Sequence, residues 1–236
     1  MSYSVGKAIR EINSNKISHS YYLSGSDYFL QNFFIKKLLM KIDQSTNTKY
    51  LNLEEENDRN FILNELENIS LFSNKNLYVI KNFNKIAVNL KKRLIEYIDK
   101  PISDNILIFV SDDYYTKNKF STSLSKKAFL IDTRTPFANK VIEWVNYYIK
   151  TENLTIDQEI IDELINTFSD SISSIINEIE KLYLFNNGTN IKFKDFNQID
   201  RYNKNIRPWN LLDSIGNKNL DTSVENLNAL FLNGSN

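Results

Sequence analysis

The chain has 236 residues, no cysteine and a single histidine, His19, which excludes disulfides, thiolate metal sites, multi-histidine zinc sites and Ser-His-Asp triads. Its 29 basic and 29 acidic side chains cancel, so no global field draws nucleic acid or acidic lipid to it. A hydrophobic content of 42% suffices for the core of one large domain, or of two smaller ones with part of another. The lack of cysteine suits a reducing compartment, here the cytoplasm. The early charges Lys7, Arg10 and Glu11 predict no signal peptide. No apolar run approaches the ~20 residues that span a bilayer. Only five glycines and three prolines occur among many Asn, Ile and Lys residues, which points to a low-GC genome and makes lysine clusters weak signals.

Val5, Ala8, Ile9 and Ile12 give a first helical face. Tyr21–Leu23 reads as a short buried strand ending at Gly25, and Asp27 can cap a helix with Leu30, Phe34 and Leu38 inward. Tyr50–Leu53 is a second strand, Ile62, Leu66 and Ile69 mark a helix, and Leu77–Ile80 is a third strand. Leu94, Ile95 and Ile98 mark a helix that ends before Pro101. Ile106–Val110 is apolar on both faces, and Ala128–Ile131 is a fifth strand. This alternation predicts an α/β domain over 1–135, with a parallel five-stranded sheet covered on both sides.

From Pro136 the pattern is helical. Val141, Trp144, Val145 and Tyr148 form one stripe; Ile161, Leu164, Ile165 and Phe168 form another; Ile172, Ile175, Ile176, Ile179, Leu182 and Tyr183 form a third. Asn187-Gly188 is a turn and 191–199 a last short element, so 136–200 is a small helical domain. Trp144 and Trp209 read as core residues on helix faces. Arg201–Arg207 is a polar linker, and Pro208 sits where a first-turn proline opens a helix. Trp209, Leu212 and Ile215 form its face, and Val224, Leu227 and Phe231 that of a second helix. Two short helices cannot close a core, so 201–236 is expected to be the start of a third, truncated helical domain.

The turn after Gly25 joins strand to helix in the layout of a phosphate-binding loop. A working loop needs glycines whose N–H groups wrap phosphate and a lysine for the outer phosphates. Gly25 is followed by Ser26, Asp27, Tyr28, Phe29 and Leu30, so the site has that shape without that chemistry. The third strand runs into Lys81-Asn82 where an acidic pair would hold magnesium.

These features are similar to the delta-subunit family of bacterial DNA polymerase III clamp loaders, a branch of the AAA+ superfamily. Residues 18–25 (SHSYYLSG) resemble the first strand of clamp-loader subunits, and Gly25–Leu30 the family's G-x-D-x-F/Y-L continuation. Residues 66–83 (LENISLFSNKNLYVIKNF) resemble its helix, S-L-F and strand pattern, and 177–185 (NEIEKLYLF) its lid segment. Residues 206–232 resemble the opening of its collar domain. The resemblance implies an AAA+-like α/β domain that grips the clamp, a helical lid and the start of a collar. It implies that Ser70, Leu71 and Phe72 form the clamp-binding site, with Leu71 and Phe72 inserting into the hydrophobic pocket of the sliding clamp (the beta subunit) and opening the ring for loading onto primed DNA. The implied partners are the clamp, the gamma/tau ATPase subunits, delta-prime and, through the complex, primer–template DNA, with no membrane. No cofactor, no metal and no intrinsic catalysis are expected, although the holoenzyme is a DNA-directed DNA polymerase. ATPase relatives carry a nucleotide-sensing arginine near 169–173, where this chain has none. If the collar is truncated, weak assembly with the ATPase subunits is expected.

Other readings of the residues stay open. Leu71 and Phe72 could pack beneath the sheet. Lys91, Lys92 and Arg93, with Lys126 and Lys127, could contact DNA phosphates, although most of these lysines read as solvated faces. Asp112-Asp113 could hold magnesium, but a loop-surface pair is the expectation, as it is for Glu54–Glu56. The competing functions are an active AAA+ ATPase with an unusual site and a DNA-binding regulator on a degenerate AAA+ scaffold.

Overall fold

The computed structural model describes residues 2–42, 46–67, 76–101, 105–114, 118–168, 171–186, 188, 190–192 and 208–232. The chain divides into two compact units, Met1–Thr135 and Pro136–Asn236.

The first unit is built on a parallel sheet of six strands: β1 (Tyr3–Ser4), β2 (Ser20–Ser24), β3 (Asn47–Asn52), β4 (Asn76–Lys81), β5 (Ile106–Ser111) and β6 (Phe129–Asp132). Their order is β1-β6-β2-β5-β4-β3, every pair parallel. The expected five strands become six because β1 is only two residues long, too short to show any period. It pairs at the edge beside β6, and the Tyr3 ring stacks on Phe129 at 4.4 Å.

β2 and β5 are buried at every residue, as strands covered on both faces must be. Tyr21 and Tyr22 point to opposite faces, following the period of two. Tyr21 meets Phe34 edge-on at 5.1 Å, on the face covered by α2 (Tyr28–Leu39), which itself packs on α1 (Val5–Asn13). Tyr22 joins the opposite layer with Tyr78, Ile80, Leu107 and Phe109. That layer is closed by Ile62 of α3 (Glu56–Glu67), Leu90 and Leu94 of α4 (Val88–Asp99), and Phe120 and Leu124 of α5 (Lys119–Lys127).

In the second unit, α6 (Ala138–Thr151), α7 (Gln158–Phe168) and α8 (Ile172–Phe185) bury Val141, Val145 and Tyr148, then Ile160, Ile161 and Leu164, then Ile172, Ile175, Ile176, Ile179 and Leu182. Trp144, expected in the core, is only half-buried and meets Tyr147 edge-on at 5.6 Å. Two further helices, α9 (Pro208–Gly216) and α10 (Leu220–Leu232), pack on each other. Between them the Ser223 hydroxyl and the Asn226 amide both donate to Ser214 Oγ, and Leu230 is buried. Leu212, Ile215, Val224, Leu227 and Phe231 remain exposed.

Candidate functional site

Ligands of open α/β sheets bind beyond the carboxyl ends of the strands, where the strand order reverses. In this unit the chain leaves β2 toward β3 on one side and later crosses to β6 on the other. The register brings Ser24, Ser111 and Asp132 side by side at the reversal, and the turn after Gly25 starts there.

Several backbone donors of that turn are already committed. Gly25 N–H donates to the Ser111 carbonyl at 2.9 Å, and Asp27 N–H to the Thr133 carbonyl at 3.0 Å. Leu30 N–H donates to Asp27 Oδ1 at 3.0 Å, so the Asp27 carboxylate caps α2. A helix N-terminus attracts an anion, and here the anion is the protein's own. Burial pushes the Asp27 carboxyl up from its ordinary value, and the N–H groups of Leu30 and Phe29 pull it partly back.

Gly25 has φ of +138°, where other residues are strained. A methyl group there would sit 2.2 Å from the Arg134 amide nitrogen and 2.3 Å from the Thr133 carbonyl carbon. The 133–134 backbone thus lies directly against the turn. The Gly25 carbonyl accepts from Gln31 Nε2 at 2.6 Å and from the Thr133 hydroxyl at 3.2 Å. Ser26 is exposed at the apex.

Around the turn, Asp112 accepts from the Tyr28 hydroxyl at 3.3 Å and from Gln31 Nε2 at 3.4 Å. The Lys81 ammonium stands 5.4 Å from the Tyr28 ring centroid, a cation at the position of the missing acidic pair. Asn82, at φ +56°, donates to Asn52 Oδ1 at 2.9 Å. Arg134 holds Asp132 through two nitrogens and lies 3.6 Å over the Tyr114 ring. Among the described residues, no three His, Cys, Asp or Glu side chains converge as metal ligands. None of their helices is long and apolar enough to cross a membrane.

Of the residues singled out in the sequence, Gly25, Ser26 and Asp27 form this turn, whereas Ser70, Leu71 and Phe72 lie outside the described residues. Lys91, Lys92 and Arg93 are on α4. Lys91 Nζ donates to the Asn84 carbonyl at 2.5 Å, and Lys92 pairs with Glu96 at 3.6 Å. Lys126 is exposed at the end of α5, and Lys127 pairs with Asp99. Asp99 is the last residue of α4, six residues beyond Arg93. His19 is exposed. Residues 169–170 lie outside the described residues, and Ser171 caps α8.

Gln31 and Thr133 were not singled out in the sequence, yet both hold the turn. Gln31 leaves a trace as a polar residue beside Leu30 and Phe34 on an otherwise apolar helix. Thr133 leaves none, since its partner is 108 residues away.

Residues 21–134 match the family model described as DNA polymerase III, delta subunit. A curated relative, DNA polymerase III subunit delta of Buchnera aphidicola subsp. Schizaphis graminum, is 27% identical over 92% of this chain. The chain spans 66% of that relative's length. Among solved structures, the Bacillus subtilis DNA clamp loader delta protein superposes with a TM-score of 0.70 at 20% identity, covering 98% of this chain and 73% of that one. The Thermotoga maritima RuvB Holliday junction branch migration motor gives 0.51 at 11% identity, covering 89% and 74%. These two likenesses are of fold, and they support the AAA+-like architecture. In sequence through its α/β unit and in fold along nearly its whole length, this chain resembles the delta subunit of DNA polymerase III.

Proposed function

We propose that the chain acts as a clamp-loader delta subunit that binds and opens the sliding clamp in the cytoplasm without hydrolysing ATP. The observation that carries the reading is the closed turn at Gly25. The N–H groups of Gly25, Asp27 and Leu30, which a phosphate would need, serve Ser111, Thr133 and the Asp27 carboxylate. Lys81 and Asn82 supply no carboxylate for magnesium. A unit in this state serves as a scaffold, and ATP turnover falls to the gamma/tau partners.

Clamp binding is assigned to Ser70, Leu71 and Phe72 on the sequence resemblance. Two adjacent large apolar side chains can plug a preformed pocket as hot spots. A wedge that prefers the open ring shifts the clamp toward that state. The α/β unit 1–135 is the gripping domain, 136–200 the lid and 201–236 the start of the collar. The exposed apolar residues of α9 and α10 suit helices that belong to a larger bundle. Delta-prime and primer–template DNA are met through the complex, with Lys91, Lys92, Arg93, Lys126 and Lys127 as the candidate phosphate contacts.

The test is surface plasmon resonance against the sliding clamp of the same organism. Burial of each apolar side chain contributes about 1.5–3 kcal/mol. Leu71→Ala/Phe72→Ala is therefore expected to weaken binding roughly 100-fold or more, with the urea midpoint unchanged. A wild type that fails to bind, or a double mutant that binds equally, rejects the assignment. Calorimetry with Mg-ATP is expected to show no binding. Tight, magnesium-dependent binding instead makes the chain an ATPase. Salt-steep DNA affinity without clamp affinity makes it a DNA-binding regulator.

A further inference from the structure

A phosphate-binding loop runs GxxxxGK and then Ser or Thr. Counted from Gly25, that pattern puts Leu30 at the second glycine, Gln31 at the lysine and Asn32 at the hydroxyl residue. In a working loop the lysine reaches the outer phosphates, and the N–H groups of the first helical turn point at the same anion. Here both sets of donors turn inward. Gln31 is 1% exposed, and its amide curls back onto the Gly25 carbonyl at 2.6 Å, joining the start of the loop to its lysine position. The same amide stands 3.4 Å from Asp112 Oδ1, just past the end of β5. The N–H groups of Leu30 and Phe29 both bond the Asp27 carboxylate.

Backbone and side chains close the turn separately. The Gly25 and Asp27 N–H groups donate to the Ser111 and Thr133 carbonyls, bonds that do not involve the side chains at 27 and 31. The two side chains decide what else the turn admits. Asp27 sets a carboxylate against the N-terminus of α2, so an incoming phosphate meets like charge where it needs donors. Gln31 puts a neutral amide in place of the cation, and that amide already serves the loop's own carbonyl.

We infer that Asp27 and Gln31 together exclude nucleoside diphosphates and triphosphates from this turn. Asp27 does so by its charge and by holding the Phe29 and Leu30 N–H groups. Gln31 does so by stitching the loop shut and withholding the cation. The inference rests on the reading of the chain as a subunit that does not hydrolyse ATP, and it assigns that property to two side chains on an otherwise intact strand-turn-helix frame.

The experiment titrates Mg-ADP and, separately, inorganic pyrophosphate into the full chain by calorimetry. Wild type is expected to give no binding heat at millimolar ligand. Asp27→Gly/Gln31→Lys frees the helix N–H groups and supplies an ammonium, so it is expected to bind Mg-ADP with a millimolar or lower Kd. Asp27→Gly/Gln31→Met frees the same groups without the cation and is expected to bind at least tenfold more weakly. A retained urea transition shows that each variant is folded. The single variant Gln31→Met gives a second readout. Hydrogen exchange at the Gly25 and Asp27 amides is expected to speed up tenfold or more, with the α4 amides unchanged. If the double variants do not fold, this exchange measurement decides alone. Unchanged exchange in Gln31→Met overturns the inference. So does a folded Asp27→Gly/Gln31→Lys that binds neither ligand, since the bonds to Ser111 and Thr133 are then sufficient. Equal binding by the two double variants removes the role of position 31. Tight Mg-ADP binding by wild type is a different failure, because it takes the non-hydrolysing reading down as well.

Discussion

At the scale of single residues, the turn after β2 rests on Gly25 and Asp27, for different reasons. Gly25 is required both by its φ of +138° and by the backbone of Thr133 and Arg134 lying where a side chain would begin. Neither obstacle is a flexible side chain that could move aside. Gly25→Ala is therefore expected to cost about 3 kcal/mol or more, read as a lowered urea midpoint with an unchanged slope. Asp27 carries two opposed effects. Its capping bond favours the helix, while burial penalises its charge and raises its pKa above the ordinary 3.8. A carboxyl raised on folding gives stability that is complete below the unfolded pKa and is lost as pH rises through the folded one. Asp27→Asn keeps the cap and removes the titration. The stability of Asp27→Asn relative to wild type should therefore rise between pH 3 and 7, and a flat or falling difference refutes the burial argument. Asp27→Ala, which loses the cap as well as the titration, should be about 1 kcal/mol less stable than Asp27→Asn at either pH. The sequence showed a glycine and a capping aspartate at this turn. It could not show that Thr133, distant in the chain, lies against the turn and takes up its Asp27 N–H.

At the scale of elements, legibility followed the density of apolar residues. The faces Val5/Ala8/Ile9/Ile12 and Leu30/Phe34/Leu38 are buried as read, because each repeats an apolar residue every three or four positions. α5 was not foreseen: KFSTSLSKK has only Phe120 and Leu124 to mark a face, and its start is signalled mainly by Asn118, which accepts from Ser121 N–H at 2.7 Å. α7 buries Ile160 rather than Ile165, since a run of adjacent isoleucines fits two helical phases equally well. In α9 and α10 the stripe residues Leu212, Ile215, Val224, Leu227 and Phe231 are exposed, while Ser214, Asn226 and Leu230 are the buried ones. The tie between α6 and α8 is polar: the buried Tyr148 hydroxyl donates to Glu180 Oε1 at 2.6 Å. Burial, and then Glu180, push the Tyr148 phenol up from its ordinary 10.0. Its contribution is full below pH 10 and fades above it. Tyr148→Phe should cost about 1 kcal/mol at pH 7, and the gap to wild type should narrow by pH 11 in paired urea melts. A gap that widens in alkali contradicts the assignment.

At the scale of the whole molecule, the boundary of the first unit can be argued from what its sheet needs. β6 is the last strand in sequence but not an edge strand. It pairs with both β1 and β2, so without it β1 loses its only partner and β2 becomes an edge among the described strands. The next residues complete the Gly25 turn: Thr133 N–H donates to the Ser24 carbonyl, and its own carbonyl receives Asp27 N–H. The aromatic and aliphatic layer around Phe109 is drawn wholly from residues before 136. A fragment of residues 1–135 therefore contains every strand of the described sheet, its core and the closed turn, and it should unfold in urea as one cooperative transition. A fragment of residues 1–127 keeps more than nine-tenths of that length but exposes both apolar faces of β2 along one side and leaves the Gly25 turn open. It should show no cooperative transition and should bind hydrophobic dye. If 1–127 melts as sharply as 1–135, β6 and Thr133 are accessories, and the closed turn is not what completes this unit. If 1–135 fails to fold while the full chain does, the two units depend on each other, and the first cannot be treated as a domain on its own.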